Sequence, residues 1–472
     1  MRNGYKTYRT IVLITTIVTL FVTIAADKGT GYEFVTFIPL VYLILFMSCK
    51  KMHYYSARYN GLLMLNGLMF LKYVIAILAT CATKSYLLAS YYAVSVSSSS
   101  YHWATLILIG EETAVFLTVE LFSGAIYRND GDMQALEKEY ERVKTGPVIV
   151  LFLVASFGLA ALYPSNLFGS ISILFSSENQ LTQVIETSHV LDTVFGAFKI
   201  VFIGLLINKC IVMYQCTDKK KYIIFSYILI ALHCIMNVST SRMNIIIPFV
   251  LFALITSKIY KKTGFYFNLI IAFVLAVIIG IVSVYKMPWI FVGGSPVVAF
   301  FSDFTKRLQE YTSNIMPTAM GLQAIEAYKS SIDITTFFKD IFGVMPIVSH
   351  AFNEKEMIYT IYNMYAIGGI NNTQLIPMTI SSIAYFSPMF TYLLVISCTL
   401  ILMIVEKKND YVSRNYINDY LKLYLFFGFA SCTFSNVQMI AGRLFTNYFP
   451  AIIVLLINQK LGRDRRIVIG RK

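Results

Sequence analysis

Long runs of apolar residues, separated by short charged clusters, constrain this chain more than any other feature. A run of roughly 20 apolar residues crosses a bilayer as a helix, and tilt extends the range to about 17–25. Only 14% of the 472 residues are charged, against roughly a quarter in a soluble domain. We therefore predict an all-α, polytopic integral membrane protein with about twelve transmembrane helices.

Twelve segments are candidates for membrane spans. The longest contains Pro388, which removes a backbone donor and predicts a kink or break in that helix. The predicted spans are 10–26, 34–49, 61–82, 101–122, 147–163, 194–214, 222–238, 244–260, 265–285, 379–405, 421–438 and 444–459. The predicted organisation is membrane helices 1–9 in residues 1–285, a 93-residue loop in 286–378, helices 10–12 in 379–459 and a basic cytoplasmic tail in 460–472.

The distribution of Lys and Arg predicts the orientation. With twelve spans and a cytoplasmic N-terminus, inner segments contain 25 of the 39 basic residues and the short outer loops contain 4. This bias follows the positive-inside rule, and moving the topology by one helix would reverse it. We therefore expect both termini in the cytoplasm and the 286–378 loop outside. The net charge of +14 does not indicate nucleic-acid binding, because the basic residues flank apolar segments and form no continuous stripe.

The 286–378 loop carries one clear helical pattern, across residues 297–311. The apolar residues at helical spacing are Val297, Phe300, Phe301, Phe304, Leu308 and Tyr311, and the charged residues on the opposite face are Asp303, Lys306, Arg307 and Glu310. This pattern predicts an amphipathic helix that lies along the membrane interface or caps the helix bundle.

Basic residues at the predicted outer junctions are candidates for phosphate binding. Arg242 follows Ser241 in the turn between spans seven and eight, and Arg443 lies in the turn between spans eleven and twelve. Arginine offers five donors in a fixed fork, which suits a lipid-linked phosphate or pyrophosphate. The alternative is an arginine bound to ordinary lipid phosphate. Arg307, on the loop helix, is a third candidate cation.

A transfer reaction at this face would also need a base. His350 is the only histidine in the long loop, and imidazole exchanges protons near neutral pH. Asp303, Glu310 and Glu354 are rival bases, and the sequence does not choose among them. The alternative is that His350 is an ordinary surface residue and that Asp303 and Glu310 form ion pairs with Arg307 along the helix.

Two carboxylates, Glu111 and Glu112, fall near the middle of the fourth predicted span. Intramembrane carboxylates are energetically costly, so they face the bundle interior and mark a pathway or a pair. Lys72 and Lys199, in spans three and six, are candidate partners. One interpretation is ion coupling in a transporter, and the other is a structural ion pair or a protonated acid.

The sequence predicts no metal and no cofactor. The seven cysteines lie in or beside predicted spans without a CxxC pair, and the patterns GxxxxGK[ST], HExxH and GxSxG do not occur. Asp130-Gly131-Asp132 has the form of a DxD motif, but the cytoplasmic loop 123–146 is too short for a nucleotide-binding domain. A turn followed by an acidic helix start is the interpretation of that segment.

This layout resembles the bacterial Wzy family, the polymerases of oligosaccharide repeat units in O-antigen and capsule synthesis. The resemblance rests on many spans, on the Ser241-Arg242 pair at an outer helix junction and on a large outer loop late in the chain. A Gly-rich approach from Gly368-Gly369 into a helix with the pattern Ser381-Ser382-Ile383-Ala384-Tyr385-Phe386 completes it. One departure is segment 164–193, the second-longest outer loop, which contains no Lys or Arg.

The resemblance implies polymerisation on the outer face of a bacterial cytoplasmic membrane. A growing glycan on undecaprenyl pyrophosphate would be transferred to a new lipid-linked repeat unit, without a nucleotide. It also implies contact with membrane lipid and, as partners, a chain-length regulator and a flippase of the same pathway. Arg242, Arg307 and Arg443, with Ser241, would bind the pyrophosphate, and His350, Asp303 or Glu310 would act in catalysis.

Two other functions fit parts of the same sequence. A flippase or other transporter of lipid-linked oligosaccharides would use the intramembrane charges Glu111, Glu112, Lys72 and Lys199, but such proteins usually have short loops and internal repeats. An O-antigen ligase would share the lipid-linked donor and differ in the acceptor. The long 286–378 loop favours the polymerase over the transporter.

The predicted sidedness can be tested by cysteine labelling. In a chain without native cysteines, a cysteine at His350 or Arg242 should react with a membrane-impermeant maleimide added to spheroplasts. A cysteine at Lys219, in a predicted inner loop, should react only after permeabilisation. Protection of position 350 or 242 in intact spheroplasts would contradict the topology and the site built on it.

Overall fold

In a computed structural model of the chain, the residues described are 2–86, 94–128, 139–164, 189–236, 243–286, 296–353, 356–368, 376–408 and 415–469. These residues form helices and connecting turns, and no strand occurs among them. The prediction of an all-α chain is confirmed for this part of the sequence.

The helices before residue 287 follow the predicted apolar runs closely. In chain order they are α1 (Arg2–Ala25), α2 (Phe37–Ser48), α3 (Lys50–Ser56), α4 (Asn60–Phe70), a π-helical segment (Leu71–Ile75), α5 (Ala76–Ala82), α6 (Ser98–Ile126), α7 (Pro147–Leu162), α8 (His189–Thr217), α9 (Lys221–Ile235), α10 (Met243–Ile259) and α11 (Lys261–Lys286).

The helices after residue 295 are shorter and more often interrupted. They are α12 (Pro296–Tyr311), α13 (Ile315–Ala327), α14 (Ile334–Phe342), α15 (Ile358–Ile367), α16 (Met378–Phe386), α17 (Leu393–Lys408), α18 (Tyr416–Ala430), α19 (Val437–Arg443), a second π-helical segment (Leu444–Tyr448) and α20 (Phe449–Ile469). Short 3₁₀ turns occur at Lys329–Ser331, Ser349–Ala351, Pro388–Phe390 and Ser431–Thr433.

Several of these helices are long and apolar enough to cross a membrane. Within the described ranges they number five: Gly4–Ala25, Asn60–Ala82, Val190–Thr217, Pro388–Lys408 and Val437–Leu461. Shorter apolar helices occupy Phe37–Ser48, Pro147–Leu162, Lys221–Ile235, Ile245–Ile259 and Thr263–Leu275. The chain therefore has the helices of a membrane protein, and the full number of twelve spans stays a prediction.

The helix that contains Pro388 is broken, as the sequence predicts. Helix α16 ends at Phe386, and Ser387 follows with φ of 115°. A 3₁₀ turn at Pro388–Phe390 then leads into α17 at Leu393. Proline lacks the amide hydrogen that would continue the helix, and the positive φ at Ser387 turns the chain before it.

Helix α12 joins the connections at one end of the bundle. The Tyr86 hydroxyl donates to the Asp27 carbonyl at 2.9 Å. The Gln309 amide donates to the Ser85 carbonyl at 2.6 Å and accepts from the Tyr32 hydroxyl at 3.2 Å. The α1–α2 and α5–α6 connections and helix α12 therefore lie together.

A second group of connections meets elsewhere in the bundle. Lys51 donates to the Glu120 carbonyl at 2.8 Å, and the Tyr140 hydroxyl donates to the Asp419 carboxylate at 2.5 Å. The Tyr140 amide donates to the Gln215 side chain at 3.0 Å. The two groups of connections are those that the alternating topology assigns to opposite sides of a membrane, and which side is cytoplasmic stays a prediction.

Helix α12 confirms the predicted helix over 297–311 and shows how it is oriented. Its Phe301 and Phe304 side chains are exposed, at 55% and 53%, whereas Gln309 and Glu310 are buried at 1% and 7%. The polar face therefore packs on the protein and the aromatic face points outward. This orientation suits a helix whose outer surface is lipid or the membrane interface.

Helix α13 continues from α12 into the interior. Its residues Ile315 and Ala319 are fully buried, and α13 packs along α6. At its start, the Asn314 amide donates to the Lys72 carbonyl at 2.8 Å. Part of the 286–378 segment thus belongs to the same helical body as the apolar helices.

Glu406, on α17, provides a test of how the helices are fastened together. Its buried carboxylate accepts the backbone N–H groups of Gly61 at 2.5 Å and Leu62 at 3.2 Å. These amides lie in the first turn of α4 and have no partner in their own helix. We expect Glu406→Ala to lower the free energy of unfolding by about 3 kcal/mol, because hydrogen bonds to a buried charged group are lost.

Thermal unfolding in detergent measures this loss. Glu406→Gln, which keeps one carbonyl acceptor, should lie between the wild type and Glu406→Ala. Glu139→Ala is the matched control, because Glu139 is exposed. Equal melting temperatures for Glu406→Ala and Glu139→Ala would show that the Glu406 contact contributes nothing.

Candidate functional site

A buried ion pair lies at the centre of the helical body. The Lys72 ammonium, in the π-helical segment Leu71–Ile75, is 2.8 Å from Glu111 Oε1, and both side chains are at most 1% exposed. The Tyr73 hydroxyl donates to the same oxygen at 2.8 Å, and the Thr379 hydroxyl donates to Oε2 at 3.3 Å. A buried pair is tolerated when its remaining lone pairs are satisfied, and here the Glu111 carboxylate has three donors.

Of the two lysines predicted as partners for the intramembrane carboxylates, Lys72 is the one that pairs with Glu111. The Lys199 ammonium lies 3.5 Å from the Met236 carbonyl at the end of α9. Glu112 is 0% exposed, and neither of its oxygens has a hydrogen-bond partner in the described part of the chain. The neighbouring glutamates are therefore in different chemical situations.

Residues 431–436 separate α18 from α19, and we call them the 431–436 break. A helix end leaves backbone carbonyls without intrahelical donors, which is tolerated at depth only where the protein supplies new ones. The Lys72 ammonium donates to the Thr433 carbonyl at 2.6 Å, and the Ser313 hydroxyl donates to the Phe434 carbonyl at 3.0 Å. The buried cation therefore stabilises the break as well as the ion pair.

The prediction that Arg443 lies in a turn is wrong. The turn between the last two helices is the 431–436 break, and Arg443 is the last residue of α19, which continues through Leu444–Tyr448 into α20. The Ser, Thr and Asn residues of the break supply hydrogen bonds at a helix boundary. The sequence analysis predicted the boundary between the last two helices at the charged residue Arg443. In the structure that boundary lies earlier, and Arg443 is inside a continuous helix.

In the described structure, the groups that bind Arg443 are neutral. Its Nη1 donates to the hydroxyl of Ser431 at 3.2 Å and to that of Ser435 at 3.3 Å, and its guanidinium lies 5.7 Å from the centre of the Phe427 ring. No carboxylate pairs with it among the described residues. A partly buried guanidinium in this environment favours an anion, because charge-assisted hydrogen bonds to carboxylate or phosphate are stronger than those to hydroxyls.

The candidate residues of α12 form an ion-pair network. Arg307 Nε is 3.8 Å from Asp303, and Arg307 Nη1 is 3.4 Å from Glu310. All three side chains are largely buried, with exposures of 17%, 18% and 7%. The charge of Arg307 is thus compensated by carboxylates, unlike that of Arg443.

His350 stands apart from this network. It is exposed in the 3₁₀ turn Ser349–Ala351, and no hydrogen bond or ion pair links it to Arg307 or Arg443 in the described structure. Ser241 and Arg242 lie outside the described residues. The structure therefore does not bring the predicted catalytic and phosphate-binding residues into one contact network.

Asp340, on α14, is a candidate that the sequence analysis missed. Its side chain is fully buried, accepting the Ile358 amide at 3.2 Å and the Tyr385 hydroxyl. Burial raises the pKa of Asp340 from 3.8 to about 7, although both hydrogen bonds lower it. The sequence gives little sign of this, because Asp340 follows a lysine, Lys339, in a short amphipathic helix and looks like part of its solvent-facing side.

Helix α14 packs against both α16 and α19. A Cβ added at Gly442 would lie 3.8 Å from the Cβ of Val344, just after α14, and the Gln438 amide lies 3.7 Å from the Met357 sulfur. The segment around Asp340 therefore covers the short helix that ends in Arg443. Asp340, whose pKa is raised to about 7, and Arg443, which has no carboxylate partner within the described ranges, therefore lie on neighbouring helices.

Comparisons with known proteins identify no relative. No family model matches the chain, and neither a curated protein nor a solved structure matches it.

The raised pKa of Asp340 predicts a pH dependence of stability. The folded state keeps the proton up to about pH 7, whereas the unfolded chain loses it near 3.8. The stabilisation by this group is therefore complete below pH 3.8 and is lost as the pH rises through about 7, with a slope of up to about 1.4 kcal/mol per pH unit. Asp340→Asn should remove this part of the slope.

The measurement is the melting temperature in detergent as a function of pH. The curve of Asp340→Asn should approach or exceed that of the wild type above pH 7. Asp27→Asn is the control, because the Asp27 side chain is 87% exposed. Parallel curves for the wild type and Asp340→Asn would mean that Asp340 titrates alike in the folded and unfolded states.

Proposed function

We propose that the chain is a membrane glycosyltransferase, a polymerase that joins oligosaccharide repeat units carried on undecaprenyl pyrophosphate. The product would be a surface polysaccharide such as O-antigen or capsule. The proposal places the chain in a bacterial cytoplasmic membrane with both termini in the cytoplasm, and gives it membrane lipid, a chain-length regulator and a flippase as partners. Its sequence basis is the resemblance to the Wzy family.

The observation that carries the proposal is the environment of Arg443. The proposed reaction expels a lipid pyrophosphate, which accumulates negative charge as it leaves. Fixed cations aimed at developing charge in a water-poor site contribute much of the catalysis of such reactions. Arg443 is held by the hydroxyls of Ser431 and Ser435, with no carboxylate against it in the part of the chain that the structure describes, so its charge is available to an anionic group.

Arg307 is a weaker candidate than Arg443 for the cation that binds the leaving pyrophosphate. Its two ion pairs with Asp303 and Glu310 compensate its charge, and an incoming pyrophosphate would have to displace them. The same pairs occupy the carboxylates of Asp303 and Glu310, so either residue would have to leave its ion pair with Arg307 to accept a proton from substrate. Arg242 stays in the proposal on the sequence argument alone, as a second cation beside Ser241.

The proposed step forms one glycosidic bond and breaks the bond to the lipid pyrophosphate. The acceptor hydroxyl oxygen attacks the anomeric carbon that carries the pyrophosphate, and a new glycosidic C–O bond forms. The old C–O bond breaks, and the lipid pyrophosphate leaves with its electron pair. The hydroxyl proton passes to a base, for which we propose His350, because it is exposed and imidazole exchanges protons near neutral pH.

Helix α12 supports a site at the level of the lipid headgroups. Its Phe301 and Phe304 rings point outward while Asp303, Arg307 and Glu310 face the protein. A helix with this arrangement suits the interface between lipid and water. A lipid-linked pyrophosphate reaches the protein at that depth.

The test is the size distribution of the surface glycan in a strain that lacks the gene. Single repeat units without longer chains would support a polymerase. Chains of normal length left on the lipid carrier would support the ligase, and complete loss of surface sugar would support the flippase.

Variants expressed in that strain then test the site. Arg443→Gln should reduce polymerisation by roughly 100-fold, the usual scale for loss of one charge-stabilising donor, and Arg443→Lys should retain part of it. Arg242→Ala and Arg242→Lys test the second cation. Arg58→Gln, at an exposed arginine, is the matched control at equal expression, and wild-type chain length in Arg443→Gln would remove Arg443 from the site.

A further inference from the structure

Glu112 is a buried acid that the proposed reaction does not use. Its side chain is 0% exposed, and both of its oxygens lack a hydrogen-bond partner within the described structure. Leaving an ionised carboxylate in this state would be very costly, because nothing replaces the water that it loses. Glu111, one residue earlier, is by contrast bound by Lys72, Tyr73 and Thr379.

Unpaired polar groups cluster on this face of α6. Phe116, one turn after Glu112, packs on Tyr42 with ring centres 5.7 Å apart. The Tyr42 ring also lies 6.4 Å from the Tyr73 ring, and the Tyr42 hydroxyl is buried without a hydrogen-bond partner among the described residues. A polar group close to Glu112 on this side is therefore the Tyr42 hydroxyl, which also lacks a hydrogen-bond partner in the described structure.

The charges around Glu112 are already balanced. Lys72 and Glu111 neutralise each other at 2.8 Å, and helix α13, which packs along α6, presents no ionisable residue among its buried ones. Among the described residues, the ionisable groups that act on Glu112 or on its neighbouring pair are Tyr42, Lys72, Tyr73, Glu111, Tyr392 and Cys432. Lys72 is the one cation among them, and Glu111 already holds it.

We propose that Glu112 is a proton-binding site in the core of the helical body, and that the bound proton keeps Lys72 on the 431–436 break. When Glu112 is protonated it is neutral and does not attract Lys72. The Lys72 ammonium then stays bound to Glu111 and to the Thr433 carbonyl. Without the proton, two adjacent carboxylates share one ammonium. Lys72 then moves away from the Thr433 carbonyl, and the break loses one of its donors.

This site is independent of the proposed polymerase activity, because it concerns only the protein and a proton. It also differs from a structural salt bridge, since no partner for Glu112 occurs in the described part of the protein. Its consequence is that the conformation of residues 431–436, which carry the serines that bind Arg443, depends on whether Glu112 is protonated.

Infrared difference spectroscopy tests the proton directly. The purified protein is measured well above pH 7, so that Asp340, with a pKa of about 7, is ionised. The spectrum of the wild type minus that of Glu112→Gln should show the carbonyl band of a protonated carboxylic acid, and this band should shift in heavy water. Wild type minus Glu111→Gln should show carboxylate bands instead. If the Glu112→Gln substitution removes carboxylate bands and no carboxylic-acid band, Glu112 is ionised in the wild type and the proposal is wrong.

The same variants give a second readout if expression suffers. A neutral amide should replace a neutral acid, so Glu112→Gln should fold and melt near the wild type, whereas Glu111→Gln should melt lower because Lys72 loses its counter-ion. If Glu112→Gln fails to fold, or is as unstable as Glu111→Gln, Glu112 is ionised and the proposal is wrong.

Labelling of Cys432 tests the coupling to the break. Cys432 is 0% exposed and is kept as the single cysteine. Its rate of maleimide labelling should be low in the wild type and in Glu112→Gln at neutral pH, and higher in Glu111→Gln. Raising the pH beyond that of the infrared measurement, until Glu112 loses its proton, should accelerate labelling more in the wild type than in Glu112→Gln. Identical pH profiles in these two proteins would exclude coupling between Glu112 and the break.

Discussion

The ion pair between Lys72 and Glu111 is the constraint on which the centre of this structure depends. Two opposite charges without water require close contact and further hydrogen bonds, and the loss of one partner from such a pair costs about 3–5 kcal/mol. The necessary groups come from separate parts of the chain: the Thr433 carbonyl, the Thr379 hydroxyl and the Tyr73 hydroxyl. Satisfying one pair thus fixes several helices relative to one another.

The need for donors around Lys72 and the 431–436 break also explains why part of the 286–378 segment reaches the interior. The Asn314 amide donates to the Lys72 carbonyl and the Ser313 hydroxyl donates to the Phe434 carbonyl. Both are backbone acceptors at irregular positions, the first in a π-helical segment and the second in the 431–436 break. The connection between α12 and α13 therefore supplies donors where regular helices cannot.

The sequence predicts the helices well and the polar contacts poorly. Apolar runs, the stripe over 297–311 and the break at Pro388 depend on local periodicity and backbone chemistry, so they are visible in one dimension. The position of Arg443 depends on Ser431 and Ser435, which lie 12 and 8 residues away. Asp340 is buried by Tyr385, 45 residues later in the chain. Such pairings are set by tertiary packing, which no local pattern encodes.

The two π-helical segments have a geometric consequence for the helices that contain them. Each segment inserts one residue beyond the α-helical repeat, which rotates everything after it by about 100° relative to everything before it. A single helical wheel drawn through Asn60–Ala82 or Val437–Leu461 therefore assigns the residues of one half to the wrong face of the helix. Lys72 is at one of these phase changes, and Arg443 immediately precedes the other.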